Sequence, residues 1–259
     1  MFYNVHKKKR KNLIVQRNSL SNSISSSEFN ELMEKIGLFQ KKPLLAISYS
    51  GGPDSTALLL KLCEWSKNNG AKLISFIINH NLKDNSMEES EKAKKNSESL
   101  LIETHILNWQ GSKPKSRIMK TARDKRYELL EQECQKRHIF HLFTAHHLDD
   151  QIETYLMRSQ RKGFDLGQSS MNVITEKENF RVIKPFLSVS KKRLIDTCEY
   201  HKMKWVKDPM NHYDNFERVK IRKILKNINS CQKTIYLKKI QLKKKNEDKY
   251  RIRDIKIYL

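Results

Sequence analysis

The sequence predicts an α/β fold: a doubly wound, mostly parallel sheet followed by a small helical region. Two observations carry that expectation. Short apolar runs alternate with helix-length segments from residue 43 to residue 186, the rhythm of βαβ units with right-handed crossovers. The first run, Pro43–Tyr49, stops at Ser50-Gly51-Gly52-Pro53 and a helical pattern starts at once, so a tight turn joins strand to helix. In a sheet of this kind ligands gather at the carboxyl ends of the strands.

Each element follows from its own pattern. Pro53 to Ser66 reads as a helix carrying Ala57, Leu58, Leu60, Leu62 and Cys63, with Pro53 suited to the first turn. Lys72–Asn79 is the second strand. Ser86 with Glu89 has the spacing of a capping box and opens a polar helix to about Leu101. Glu103–Trp109 is a third strand, Arg117–Arg137 a long helix, Ile139–Ala145 a fourth strand. A helix from about Asp149 to Arg161 and a last strand, Arg181–Phe186, complete the alternation. Beyond it Ser190–Lys202 and Phe216–Asn229 read as helices joined by a loop over 205–215. From Cys231 the chain is Lys-rich, with too little apolar content to build a core. The expected organisation is therefore a basic, Ser-rich extension over 1–27, disordered or a transit peptide, a nucleotide-binding domain over 28–188, a helical substrate-contacting region over 189–230 and a basic tail over 231–259.

Charge is concentrated at the ends. The formal net charge is +23, from 52 Lys and Arg against 29 Asp and Glu. Residues 1–27 hold six basic side chains and no acid, residues 191–259 hold 21 basic and eight acidic ones, and residues 28–190 carry a net charge of only +4. A polyanion such as RNA suits basic ends on a near-neutral core, because phosphate contacts dominate non-specific affinity; a Lys-rich compositional bias would produce the same numbers. The four cysteines, Cys63, Cys134, Cys198 and Cys231, are far apart and form no Cys-x-x-Cys pair, which argues against a zinc knuckle or a redox dithiol and suits a reducing compartment. No apolar run reaches the length of a membrane span. A cytoplasmic location is expected, or an organelle if residues 1–27 are a transit peptide.

Ser50-Gly51-Gly52-Pro53-Asp54-Ser55 is the sharpest local signal. Glycines let the backbone approach a phosphate, the following helix offers free N–H groups, and the Ser50 and Ser55 hydroxyls add donors. Asp54 repels a bare anion, so a carboxylate here points to Mg²⁺ bridging to phosphate. The Walker pattern is absent. Ser-Gly-Gly-x-Asp-Ser is similar to the signature of the PP-loop ATP pyrophosphatases, a resemblance that implies cleavage of ATP to AMP and pyrophosphate. A second group, Thr144-Ala145-His146-His147-Leu148-Asp149-Asp150-Gln151-Ile152-Glu153-Thr154, runs from the end of the fourth strand into a helix. Asp150 and Glu153, three apart, share one helical face and can hold Mg²⁺ or grip an ammonium group. Asp149 suits a helix cap.

These blocks resemble the tRNA(Ile)-lysidine synthase family from about Glu28 to Leu225. Further markers are Asn79-His80-Asn81-Leu82-Lys83, Ala122-Arg123, Arg126-Tyr127, Lys184-Pro185-Phe186-Leu187, Asp208-Pro209, Asn211, Asp214, Arg218 and Ile221-Arg222. The resemblance implies a ligase that uses ATP and Mg²⁺. It would adenylate C2 of the wobble cytidine of a minor isoleucine tRNA with a CAU anticodon, after which the ε-amine of free L-lysine displaces AMP. It implies Asp54, Asp150, Glu153 and Arg218 as catalytic residues, Ser50, Gly51, Gly52, Pro53, Asp54, Ser55 and His80 at the nucleotide, Asp54 and Asp150 on the metal, and a homodimer. Arg123 and Arg126 suit either tRNA contact or a solvated helix face. The chain departs from the family at Lys83, where Arg is usual, and at Lys162, Phe164 and Gln168, which alter a loop over 161–171. Two other readings stay open. One is a 2-thiolation enzyme, which would call for reactive cysteines; the other is a decayed relative that only binds RNA.

Overall fold

A computed structural model describes residues 22–82, 84–111, 118–159, 170–206 and 216–257, with side chains other than those of 119, 216–219, 226 and 246–257. Lys83, the altered loop up to residue 169, Asp208, Pro209, Asn211, Asp214 and the Arg218 side chain lie outside the described residues.

Six strands form one sheet: β1 (Leu44–Ser48), β2 (Lys72–Asn79), β3 (Glu103–Asn108), β4 (His141–Phe143), β5 (Ile174–Glu176) and β6 (Arg181–Ile183). Their order is β3-β2-β1-β4-β6-β5, with every pair parallel except β5 with β6. The five strands expected from the sequence are present. The sixth, β5, is three residues long and closes the edge as a hairpin with β6, too short to register as a periodic run.

Helices cover the sheet: α1 (Ser26–Glu34), α2 (Pro53–Asn69), α3 (Ser86–Glu98), α4 (Ile118–Lys136), α5 (Leu148–Ser159), α6 (Lys191–Tyr200), α7 (Phe216–Asn227) and α8 (Ser230–Ile257). Leu45, Ala46 and Ile47 of β1 are fully buried, as a central parallel strand covered on both faces must be. On one side they meet Leu58, Leu59 and Leu62 of α2, itself buried between the sheet and α6. On the other, Ala46 joins Phe76, Leu142 and Leu130 and Cys134 of α4.

Three expectations need correction. The polar helix α3 is capped by Asn85 at its N-terminus, not by Ser86, and the cap makes no side-chain bond to the backbone; Asn85 Nδ2 instead donates to Glu89 Oε1 at 3.2 Å. Residues 22–27, read as part of a disordered extension, belong to the fold. Arg193 of α6 donates to both Glu28 oxygens at 2.6 and 2.5 Å, the Ile24 N–H donates to Thr197 Oγ1, and Ile24 is buried. Finally, the basic tail from Cys231 is helical, and its first turns dock. Ile240 of α8 is 2% exposed and packs with Leu148 and Ile152 of α5 and Ile221 and Leu225 of α7. Few apolar side chains suffice because Tyr236, Leu237 and Ile240 share one helical face.

The strand order reverses between β1 and β4. That switch point places the loop after β1 and the loop after β4 side by side at the carboxyl edge.

Candidate active site

The turn after β1 holds itself open. Ser55 Oγ donates to the Gly52 carbonyl at 3.1 Å, pairs with Ser50 Oγ at 3.1 Å and accepts from the Ser50 N–H at 3.2 Å. Thr56 closes the helix start on the Gly52 carbonyl through its N–H and its hydroxyl, both at 2.9 Å. Gly51 has φ +76°, and its carbonyl accepts from the Val206 N–H at 2.9 Å. A Cβ at Gly51 would stand 2.8 Å from Ala93 Cβ and 3.2 Å from Val206 Cγ2. A Cβ at Gly52 would meet only Ser50 Oγ, at 3.5 Å. Packing therefore requires glycine at 51, while the protein itself has room for a side chain at 52. Pro53 is the first residue of α2, with Gly52 as its cap, and Asp54 follows in the first turn.

The loop after β4 meets this turn through His147. His147 caps α5: its Nδ1 accepts from the Asp149 N–H at 3.2 Å, and its own N–H donates to Asp150 Oδ2 at 3.0 Å. The exchange is a capping box with histidine in the cap position. Because Nδ1 is an acceptor, the ring proton sits on Nε2. Nε2 lies 3.5 Å from Asp54 Oδ2 and 3.5 Å from Asp150 Oδ2, so one buried imidazole links a carboxylate from each loop. Burial lowers the basicity of His147, but the Asp54 bond and the two negative charges outweigh it and push its pKa up. Protonating Nδ1 would nevertheless cost the Asp149 N–H its acceptor. Burial also raises the Asp54 carboxyl, and there the His147 bond and the His147 and Lys191 charges win, leaving its pKa below the usual range. Lys191 Nζ stands 3.5 Å from Asp54 Oδ2. Asp54 Oδ1 is buried and accepts no hydrogen bond. An orphaned carboxylate oxygen beside a phosphate-type loop fits a hard cation, which takes oxygen ligands and keeps much of its own water. Among the described residues no three His, Cys, Asp or Glu side chains cluster as a metal site by themselves.

Asp54 and Asp150 open into a cleft of about 750 Å³ that Ser50, Ser55, His80 and Glu153 also line. Glu153, on the face of α5 shared with Asp150, accepts from Arg222 Nε of α7 at 2.9 Å. Arg222, present in the sequence only as part of a motif, thus ties the helical region to the acidic wall. The backbone of Arg218 lies one turn earlier on α7. Asp149, read as a cap, instead pairs with Lys233 of α8 at 2.7 Å. Arg123, Arg126 and Tyr127 of α4 and His146 line the same cleft. Burial, opposed by Asp150 and helped by Arg123, Lys184 and Arg126, lowers the His146 pKa to about 4, and Thr144 Oγ1 holds its Nδ1 at 2.9 Å. The cleft thus combines carboxylates with guanidinium groups and a neutral imidazole. His147, Lys191 and Arg222 carry no sequence signal for these roles, because their partners lie 93, 137 and 69 residues away. Among the described residues no cysteine lines the cleft. Burial pushes the Cys134 and Cys198 thiols up to about 12, and Cys198 Sγ donates to the Pro53 carbonyl.

A loop of this sequence at the switch point of such a sheet defines the PP-loop class, and residues 21–228 match the PP-loop domain family; the chain belongs to it. Its relatives narrow the comparison. The chain is 33% identical over 196 residues to the tRNA(Ile)-lysidine synthase of Orientia tsutsugamushi (strain Boryong), a match covering 76% of this chain and 44% of that protein. It is 34% identical over 203 residues to the enzyme of that name from Wolbachia sp. subsp. Brugia malayi (strain TRS), covering 77% and 46%. With the one from Bradyrhizobium diazoefficiens it shares 33% over 204 residues, covering 78% and 56%. The chain thus spans about half the length of the curated relatives it matches. The fold is shared with the U34-tRNA thiolase NcsA from Methanococcus maripaludis, solved with its 4Fe-4S cluster, at a TM-score of 0.73 and 17% identity over 85% of this chain and 78% of that one. Among the described residues no helix is long and apolar enough to cross a membrane.

Proposed function

We propose that the chain is the catalytic part of a tRNA(Ile)-lysidine synthase. The observation that carries this reading is the link between two loops: Asp54 after β1 and Asp150 after β4 both lie 3.5 Å from His147 Nε2, in a cleft that Arg123 and Arg126 also line. An adenylating ligase needs both characters in one cavity. Guanidinium groups receive phosphate groups bidentately, and carboxylates serve the metal and an incoming ammonium. The names of the relatives supply the substrate class.

On this reading the Gly51-Gly52 turn and the free N–H groups of α2 bind the pyrophosphate portion of ATP. Asp54, through its orphaned Oδ1, and Asp150 would hold Mg²⁺, which when bound offsets the phosphate charge. The C2 carbonyl oxygen of the wobble cytidine attacks the α-phosphorus, and pyrophosphate leaves. The lysine ε-amine then attacks C2, the C2–O bond to AMP breaks, and the amine gives up its protons. Asp150 and Glu153 orient the ammonium group by charge and accept a proton as it becomes a nucleophile. Arg222 fixes Glu153 in the rotamer that faces the cleft. His146, neutral near pH 7, adds no charge beside Arg123 and Arg126. A thiolation reaction has less support, since sulfur transfer calls for a reactive thiol at the site and among the described residues no cysteine lines the cleft.

The test is transfer of labelled lysine into a minor isoleucine tRNA transcript with ATP and Mg²⁺. The wild-type chain should incorporate label, and Asp54→Asn should lower the rate by roughly 100-fold or more, the scale of losing one preorganised electrostatic contact. ATP binding without lysine transfer, in a correctly folded chain supplied with tRNA, would overturn the proposal.

A further inference from the structure

Several cations near the fold's core elements have a carboxylate partner. Lys61 pairs with Glu64, Arg137 with Glu133, Arg193 with Glu28, Arg222 with Glu153 and Lys233 with Asp149, all at 3.0 Å or less. Another group has none. Arg123 of α4, Lys177 in the β5–β6 turn, buried Lys184 after β6 and Lys244 of α8 converge on one flank of the cleft, and among the described residues none of the four pairs with a carboxylate. Their proximity, together with burial as the larger cause, drives the Lys184 pKa down to about 8. Glu176 and Glu178 flank Lys177 in sequence but form no ion pair with it. Like charges gathered without counter-ions repel one another, so the arrangement is built for an anion from outside.

Aromatic rings are set among these cations. Arg123 Cζ lies 5.7 Å and Lys177 Nζ 5.9 Å from the centre of the Tyr127 ring, which lines the cleft. Further along, Lys243 stands 6.0 Å from the Tyr155 ring and Lys239 5.9 Å from that of Tyr236, with the two tyrosines in edge contact at 6.4 Å. Alternating cations and aromatic faces suit single-stranded nucleic acid, whose phosphates meet the cations and whose bases stack on the rings. The flank is also displaced from the glycine turn. Strands are spaced about 4.8 Å, so β6 and β5 lie roughly 10 and 14 Å to the side of β1, which carries that turn. A nucleotide triphosphate seated on the turn leaves this flank unfilled.

We infer that α4, the β5–β6 hairpin and α8 form an RNA shelf, on which Lys177, Lys244 and Arg123 hold the backbone phosphates of the unpaired nucleotides flanking the target base and Tyr127 takes a neighbouring base at the cleft mouth. The identity of the RNA as a tRNA loop rests on the proposed function; the shelf itself rests on the unpaired cations and the rings. Lys184 lies beneath and contributes its field while holding the hairpin, donating to Thr175 Oγ1 at 2.9 Å.

The test is binding of a fluorescent anticodon stem-loop RNA to the full chain across a salt series, for Lys177→Glu/Lys244→Glu and for a control, Lys67→Glu/Lys72→Glu. The control changes the net charge equally, on exposed positions in the last turn of α2 and at the start of β2. The shelf variant should bind about 10-fold more weakly, with a salt slope smaller by about 1.4, the release from two single-strand phosphates, while ATP binding is unchanged in both. Equal losses in the two variants, or no loss in the shelf variant, would overturn the shelf. Absence of RNA binding by the wild-type chain would overturn it as well. Failure of the lysidine reading shows differently: no lysine transfer by the wild-type chain, with the shelf and control variants still distinct in RNA binding.

Discussion

Gly51 and Gly52 look equivalent in the sequence and are not. Gly51 combines a positive φ with a backbone held against Ala93 and Val206, so Gly51→Ala forces a left-handed alanine into a 2.8 Å contact between two carbons. The expected cost is about 1–3 kcal/mol from strain and overpacking together, read as a lower urea midpoint. Gly52 has φ −73° and open space where a Cβ would stand. Gly52→Ala should therefore leave the urea midpoint nearly unchanged and still weaken ATP binding by roughly 10-fold or more, because the only thing the methyl group obstructs is the ligand. Equal effects on stability would mean that position 52 is glycine for the turn alone. The chemistry of the turn was legible from Ser50 to Ser55 because a glycine, a proline and a helix start encode backbone geometry locally. His147 was not legible in the same way. Its neighbour Asp150 is three residues away, but its value to the site comes from Asp54, and only the sheet's strand order brings them together.

At the scale of elements, α8 determines how firmly the acidic wall is held. Ile240 buries its side chain against α5 and α7, Lys233 pairs with Asp149, and α5 carries Asp150 and Glu153 on the same turns. Ile240→Ala should cost about 2–4 kcal/mol of the stability of this helical layer. Hydrogen exchange should register the loss first in α7 and α8, with β1 and β2 protected as before, since their contacts lie in separate apolar clusters. Uniform loss of protection would instead mean that the layer and the sheet unfold as one unit. The strands and the helices α2 to α5 followed from alternation and spacing, which a buried parallel sheet imposes over long stretches. The docking of α8 did not, although Tyr236, Leu237 and Ile240 had the helical spacing that signals it. A run of lysines hides a narrow apolar stripe, because composition averages over a helix whereas burial needs only one side of it. The hairpin strand β5 escaped notice for another reason: three residues are too few to show a period.

At the scale of the whole molecule, an excess of positive charge is combined with two imidazoles that the fold keeps neutral. His141 on β4 is 6% exposed, accepts from Arg181 Nε at 2.9 Å and contacts Gln40 through Nε2 at 2.8 Å; burial first and the Arg181 charge second lower its pKa to about 4. His146 is lowered to about 4 as well. In the unfolded chain both titrate near 6.5. Between pH 6.5 and 4 the unfolded state therefore binds more protons than the native state, and stability must rise with pH across that window and be lost as pH falls through it. For His141, 2.5 pH units of displacement amount to about 3 kcal/mol at most. Lys184 acts with the same sign at the other end. Its folded pKa of about 8 lies below the ordinary 10.5, so its burial is penalised in full below pH 8 and relieved as pH rises toward 10. Urea denaturation at constant ionic strength should then show stability falling steeply from pH 6.5 to 4, flat near neutrality and rising again above pH 8. His141→Gln, which has no proton to gain, should flatten the acid limb by up to one proton's worth of slope, about 1.4 kcal/mol per pH unit. An acid limb unchanged by that substitution would mean that His141 takes up its proton as readily in the native fold as in the unfolded chain.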